Sequence, residues 1–224
     1  MKSKKYLVFD AGPLISLTMN GLLGILEKLK KDFNGEFIIT PSVKAEVIDK
    51  PLKIKRYEFE GVRIKDLLER GILKLSSDFI SNGQLEKETA RLLDIANSSF
   101  KSLGTNINLI HNAETSCLAF SNLCKCDNVI VIDERTTRLL VENPENLKKI
   151  FEKKLHSSVS VDNNKLKNLK DFRFIRSAEL LYLAYERDLL DLKKDKTLLD
   201  SILYAVKYTG TSISSGEIED IKNL

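Results

Sequence analysis

The chain has 224 residues, 36 Lys and Arg against 32 Asp and Glu, and a formal net charge of +4. That length accommodates one large domain or two small ones, and 42% hydrophobic content is ordinary for a folded globular protein. No run of roughly eighteen apolar residues occurs, which excludes a hydrophobic membrane span, and the mild positive charge is compatible with a nucleic-acid partner without requiring one.

The start, "MKSKKYLVFD", is basic and then apolar, as a secretory signal is, but the apolar run breaks at Asp10 and no small-residue cleavage site follows. A cytoplasmic location is therefore expected. The three cysteines, Cys117, Cys124 and Cys126, are too few for a disulfide framework and fit a reducing compartment. Only His111 and His156 could join the "CKC" pair, so a four-ligand zinc site is not expected.

"KYLVF", residues 5–9, reads as a buried strand. "PLISLTMNGLLGILEKL" spaces Leu14, Leu17, Leu22, Leu26 and Leu29 as a helix does, with Pro13 in its first turn. "EFIIT", residues 36–40, is a second strand, and "SVKAEVID" a second helix with Ser42 as cap and Glu46 one turn in. From Lys50 to Asn108 the sequence is charged and helical, with apolar stripes in "FEGVRIKDLLERGILKL" and "GQLEKETARLLDIANSSF". "LIHNAETSCLAFSNL" is a further helix, and Val129–Ile132 form a strand that ends at Asp133 and passes into another helix. "SVSV" or "FRFI" supplies edge strands, "SAELLYLAYERDLL" is amphipathic, and the tail holds two helices separated by Gly210. Alternating strands and helices point to parallel strands joined by crossovers.

Asp10 and Asp133 thus both stand where a strand gives way to a helix, and in a parallel sheet both emerge at the carboxyl edge, where open α/β sheets place ligands. Glu46 and Glu114 sit on helices that begin at the same edge. Taken singly, the two aspartates read as helix caps, Glu46 as a first-turn acid and Glu114 as a surface or semi-buried helix residue. Taken as an ordered set, four carboxylates converge on one pocket, and their mutual repulsion is relieved by a divalent cation with hard-oxygen preference, magnesium or manganese. Such an ion suits phosphodiester hydrolysis.

At these residues the chain resembles the PIN-domain family of metal-dependent nucleases. "VFDAGPLISL", "ITPSVKAEVID", "NAETSCLA" and "VIVIDERTTRLL" are similar to its four motifs in order over residues 5–140, and "FRFIRSAELLYLAY" resembles its last strand and helix. The resemblance implies an α/β fold, a three-layer α/β/α arrangement with a central parallel sheet plus extra helices. It treats 1–224 as a single PIN-like domain with a helical insertion at about 50–108 and a helical C-terminal extension at about 176–224. It implies that Asp10, Glu46, Glu114 and Asp133 are catalytic and bind Mg2+ or Mn2+, with Glu134 as a fifth acid. The implied activity is endoribonuclease cleavage of single-stranded or structured RNA, leaving a 3′-hydroxyl and a 5′-phosphate. Arg138, four residues after Glu134, either pairs with it or holds a substrate phosphate. An antitoxin or other protein partner, a homodimer, and a toxin or a housekeeping role are all open under this resemblance; no membrane partner is implied. Lys53, Lys55, Arg56, Arg63 and Lys65 offer a basic surface beside the cleft, although each alone reads as part of a solvated helical face.

Two other classes are weighed. A scaffold of the same fold would hold RNA or a protein without cutting. An aspartyl-nucleophile phosphatase wants a second Asp two residues after the first, where Gly12 stands. There is no phosphate-cradling glycine loop with its lysine, and two histidines offer little to a nucleophilic triad.

Overall fold

The computed structural model describes residues 5–169 and 171–223. The first strand, β1 (Lys5–Phe9), buries Tyr6, Val8 and Phe9. Helix α1 (Ala11–Met19) follows directly, and α2 (Ile25–Asp32) returns to β2 (Glu36–Ile39). The continuous helix expected from Pro13 to Leu29 is therefore two. Gly21, at φ +71°, ends the first of them. The amide of Gly21 donates to Thr18 O at 3.1 Å and that of Leu22 to Leu17 O at 2.8 Å, the paired bonds of a Schellman stop.

After β2 the chain enters α3 (Pro41–Lys44) and runs on as a π-helical turn, Ala45–Asp49. Thr40, not Ser42, caps this helix: its hydroxyl accepts from Val43 N at 3.2 Å. Helix α4 (Glu58–Glu69) leads to β3 (Leu73–Leu75), so the region expected to be wholly helical contributes a strand to the sheet. Then come α5 (Asn82–Ser98), a hairpin of β4 (Phe100–Ser102) and β5 (Thr105–Asn106), α6 (Asn112–Leu123) and β6 (Asp127–Val131). The remainder is α7 (Arg135–Glu142), α8 (Pro144–Leu155), β7 (Val159–Val161), α9 (Asn163–Leu166), β8 (Phe174–Ile175), α10 (Ser177–Glu186), α11 (Lys196–Tyr208) and α12 (Ser215–Lys222).

Among the described residues the main sheet has five strands in the order β3-β2-β1-β6-β8, every pairing parallel. Parallel neighbours need long crossovers, which the helices supply. Helices flank a sheet whose central side chains are sealed: Val8, Phe9, Phe37, Ile38, Ile39, Ile130 and Val131 are all 0% exposed. Strands covered on both faces carry continuous apolar runs, here Tyr6–Phe9 of β1, Phe37–Ile39 of β2 and Val129–Val131 of β6. "FRFI" joins this sheet as β8, whereas "SVSV" pairs as β7 in a separate antiparallel sheet of order β5-β4-β7. Among the described residues no helix is long and apolar enough to cross a membrane.

The chain winds outward from β1 to β2 and β3, then crosses back to place β6 on the other side of β1. Strand order reverses between β1 and β6, and it is outside the carboxyl ends of strands at such a switch point that open α/β sheets place ligands.

Candidate active site

Asp10 follows β1 directly, and its amide donates to Val131 O at 3.0 Å, locking it to the end of β6. Asp133 lies just beyond β6. Gly12 sits between them: a methyl built on it would lie 3.6 Å from Asp133 Cβ and 3.8 Å from Asp10 Oδ2. The two strand-end aspartates thus face one gap, kept open by the absence of a side chain.

Their surroundings differ. Asp10 is 4% exposed and its Oδ1 is buried with no hydrogen-bond partner. Its carboxyl is pushed up from 3.8 to about 7, first by burial, then by the Glu114 carboxylate, with Glu46 adding to it. The neighbouring Ala11 and Gly12 amides favour the charged form, but no capping hydrogen bond to the side chain completes their effect. Asp133, by contrast, is well held. Its Oδ1 accepts from Ser177 N, and its Oδ2 from the Ser177 and Thr211 hydroxyls, each at 2.9 Å. Burial raises its carboxyl, these three donors pull it down, and the net direction is upward.

Glu114 is the third residue of α6, and its Oε2 accepts from His111 N at 3.2 Å, so it closes the helix start while turning toward Asp10. Glu46 rides on the π-helical turn, a local irregularity often found at functional sites. Thr40 and Ser116 hydroxyls, 2.6 Å apart, tie that segment to α6. Cys117 completes the floor. Its thiol reaches Phe9 O at 3.6 Å, and it is kept protonated first by burial and then by Asp10, Glu114 and Glu46.

Asp10, Glu46 and Glu114 therefore share one electrostatic neighbourhood, with Asp133 across the gap at Gly12. They do not form a finished cage. Among the described residues no three His, Cys, Asp or Glu side chains gather closely enough to hold a metal ion. Two of the acids are engaged by protein donors: Asp133 is turned to Ser177 and Thr211, and Glu134 accepts from Thr137 N at 2.6 Å as the cap of α7. Glu134 thus serves as the cap of α7 through one of its two carboxylate oxygens. Arg138 does not pair with it, donating instead to Ser212 O at 3.2 Å.

The donor chemistry still fits a hard divalent cation. Magnesium is commonly bound through one or two carboxylates and keeps several waters, and Asp10 offers an unused buried oxygen beside the space at Gly12. Of the basic residues expected beyond Lys50, Lys55 pairs with Glu58 at 2.8 Å, Lys65 with Glu69 at 3.2 Å, and Arg63 donates to Thr18 O at 2.9 Å.

Two residues that position Asp133 are absent from the sequence-based expectation. Ser177 had a legible signal, since it too follows a strand, "FRFI", and opens a helix at the same edge. Thr211, in the loop before α12, had none. Comparison with protein-family models, with curated proteins and with solved structures finds no match for this chain.

Proposed function

We propose that the protein is a PIN-like nuclease, a magnesium- or manganese-dependent endoribonuclease that works at the crevice between β1 and β6. The observation that carries this reading is Asp10: a buried carboxylate with an unpartnered oxygen, at the switch point of a parallel sheet, in the field of two more carboxylates. A buried anion without a partner is costly, and a bound cation removes the cost. A divalent ion there supplies polarisation of a phosphodiester and activation of water.

The chain's own residues have separable roles. Asp10 and Glu114 are the holding groups, and Glu46 adds negative charge from the π-helical turn. Asp133 lines the far side of the gap, its orientation fixed by Ser177 and Thr211. Cys117, neutral and buried, fills the floor without adding charge. RNA as substrate rests on the motif resemblance and on the positive net charge, as do an antitoxin or other protein partner and a cytoplasmic setting.

A second reading has an observation in its favour. Both Asp133 oxygens accept from protein donors and no three ligating groups are assembled among the described residues, as suits a PIN-like scaffold that binds RNA or a protein without cutting it.

One comparison tests both readings. Wild type and Asp10→Asn are melted in EDTA, magnesium and manganese, and the ends they generate from total RNA are sequenced. The nuclease reading expects metal to raise the wild-type melting temperature and to support 5′-phosphate ends, and both effects to vanish in Asp10→Asn. Metal without effect on either would leave the scaffold.

A further inference from the structure

A cleft of about 640 Å³ opens on the far side of Asp133, between α7, α8 and the loop from α11 into α12. Its volume is that of a small-molecule or nucleotide site. Arg135, Arg138 and Lys207 bring three positive charges to its walls, and Glu142 and Glu217 two negative ones.

These charges are not equivalent. Burial alone would raise the Glu217 carboxyl, but the Ser214 amide and hydroxyl and the Arg176 guanidinium outweigh it and hold it at about 2. Glu217 Oε1 accepts from Arg176 Nη1 at 2.5 Å and its Oε2 from Ser214 N at 2.9 Å. Arg176 is bonded to Glu179 as well, so it is doubly paired.

Arg138 lacks such a counterpart: among the described residues no carboxylate lies within ion-pair distance of it. Its Nη2 has the Ser212 carbonyl, but its Nε is buried with no partner. Its charged form is disfavoured first by burial and then by the Arg176 guanidinium nearby; Glu142, Glu179 and Glu217 act the other way from beyond ion-pair distance, and the net direction is downward. A guanidinium that keeps a buried donor free and is crowded by a second guanidinium is stabilised by an oxyanion, and phosphate matches its fork of donors.

The cleft also touches the candidate active site. Thr211 lines it while donating to Asp133 Oδ2, and Ser212 N donates to Asp133 O at 3.1 Å. The cleft wall is thereby bonded directly to one of the strand-end aspartates.

We propose that this cleft is a phosphate subsite, in which Arg138, Arg135 and Lys207 hold a backbone phosphate of single-stranded RNA away from the bond to be cut. The choice of RNA rests on the nuclease reading; the phosphate chemistry does not.

The test is binding without cleavage. A short fluorescein-labelled single-stranded RNA is titrated by anisotropy in EDTA, and inorganic pyrophosphate by calorimetry, against wild type, Arg138→Gln, Arg135→Gln/Lys207→Gln and Asp10→Asn. The expected result is RNA binding that Arg138→Gln weakens about tenfold, with the salt slope reduced by about one, while Asp10→Asn keeps it. Because Arg138 is partly buried, circular dichroism checks its fold, and the Arg135→Gln/Lys207→Gln double variant provides an independent reading from more accessible positions. Arg138-dependent binding of pyrophosphate but not of RNA would keep the phosphate site and overturn RNA as its occupant. Affinity for neither probe, or affinity indifferent to both sets of substitutions, would overturn the site. Failure of metal-dependent cleavage with Arg138-dependent RNA binding intact would count against the nuclease reading alone.

Discussion

In the metal-free protein Asp10 is a carboxylate that folding has stripped of water and surrounded with like charge. The unfolded chain titrates it near 3.8, the folded chain near 7. Between those values the folded state holds a proton that the unfolded state has released, so stability falls as pH rises from about 4 to about 7 and is level beyond. An amide of the same shape carries no such charge. Asp10→Asn in EDTA should therefore match wild type near pH 4 and exceed it above pH 7, by at most on the order of 4 kcal/mol, since each tenfold change in proton affinity is worth about 1.36 kcal/mol. Urea titrations at a series of pH values measure the gap. A gap that stays closed at pH 8 would mean that Asp10 is not a stressed charge, and the main support for a cation site would go with it. Magnesium should narrow the same gap from the other side, by stabilising wild type and not the variant.

Helix α1 begins where the sheet ends, and Gly12 is its second residue. Glycine costs a helix roughly 0.5–1 kcal/mol relative to alanine, and a methyl here would meet its neighbours at ordinary contact distances of 3.6 and 3.8 Å. On packing alone Gly12→Ala should stabilise the metal-free protein by about half a kcal/mol. That methyl, however, would stand between Asp10 and Asp133. The expected outcome is a higher melting temperature in EDTA together with at least a tenfold loss of RNA cleavage, a split that thermal melts and cleavage assays on one preparation would expose. Full activity in Gly12→Ala would mean that the gap is not used. This element also shows what can be read from the chain. The continuous apolar runs within β1, β2 and β6 and the acids at their ends were legible, because a strand covered on both faces has no other way to be written. The "LKL" of β3 was not, since three residues between a charged helix and a polar turn leave no periodicity to detect. The capping role of Glu134 was hidden for a related reason: an acid beside Asp133 looks the same in sequence whether or not it accepts from the amide of Thr137.

Across the whole molecule, the segment joining the last two helices is bonded to the candidate site through Thr211 and Ser212. The loop between α11 and α12 bridges the C-terminal end of α1 and the end of β6. Thr209 Oγ1 lies 2.9 Å from Ser16 Oγ and accepts from Asn20 Nδ2 at 2.7 Å, which ties the loop to α1, while Thr211 two residues on donates to Asp133 beside the Ser177 hydroxyl. Contacts this distant in sequence are invisible to periodicity and spacing, so the tail could be read as helical but not as functional. Two neighbouring threonines now allow a packing role and a site role to be told apart. Thr211→Val removes a buried donor to Asp133 without changing shape, and should cost about 1–3 kcal/mol and push the Asp133 carboxyl further up. Thr209→Val breaks the tie to α1 and should lower stability by a similar order, yet it leaves all three Asp133 donors in place. If Asp133 must be ionised and fixed in orientation, Thr211→Val loses cleavage and its pH profile moves to higher pH, whereas Thr209→Val retains both once assayed well below its melting temperature. Equal losses in the two variants, with unmoved pH profiles, would reduce the tail to a clamp on the fold and leave Asp133 without a part in the chemistry.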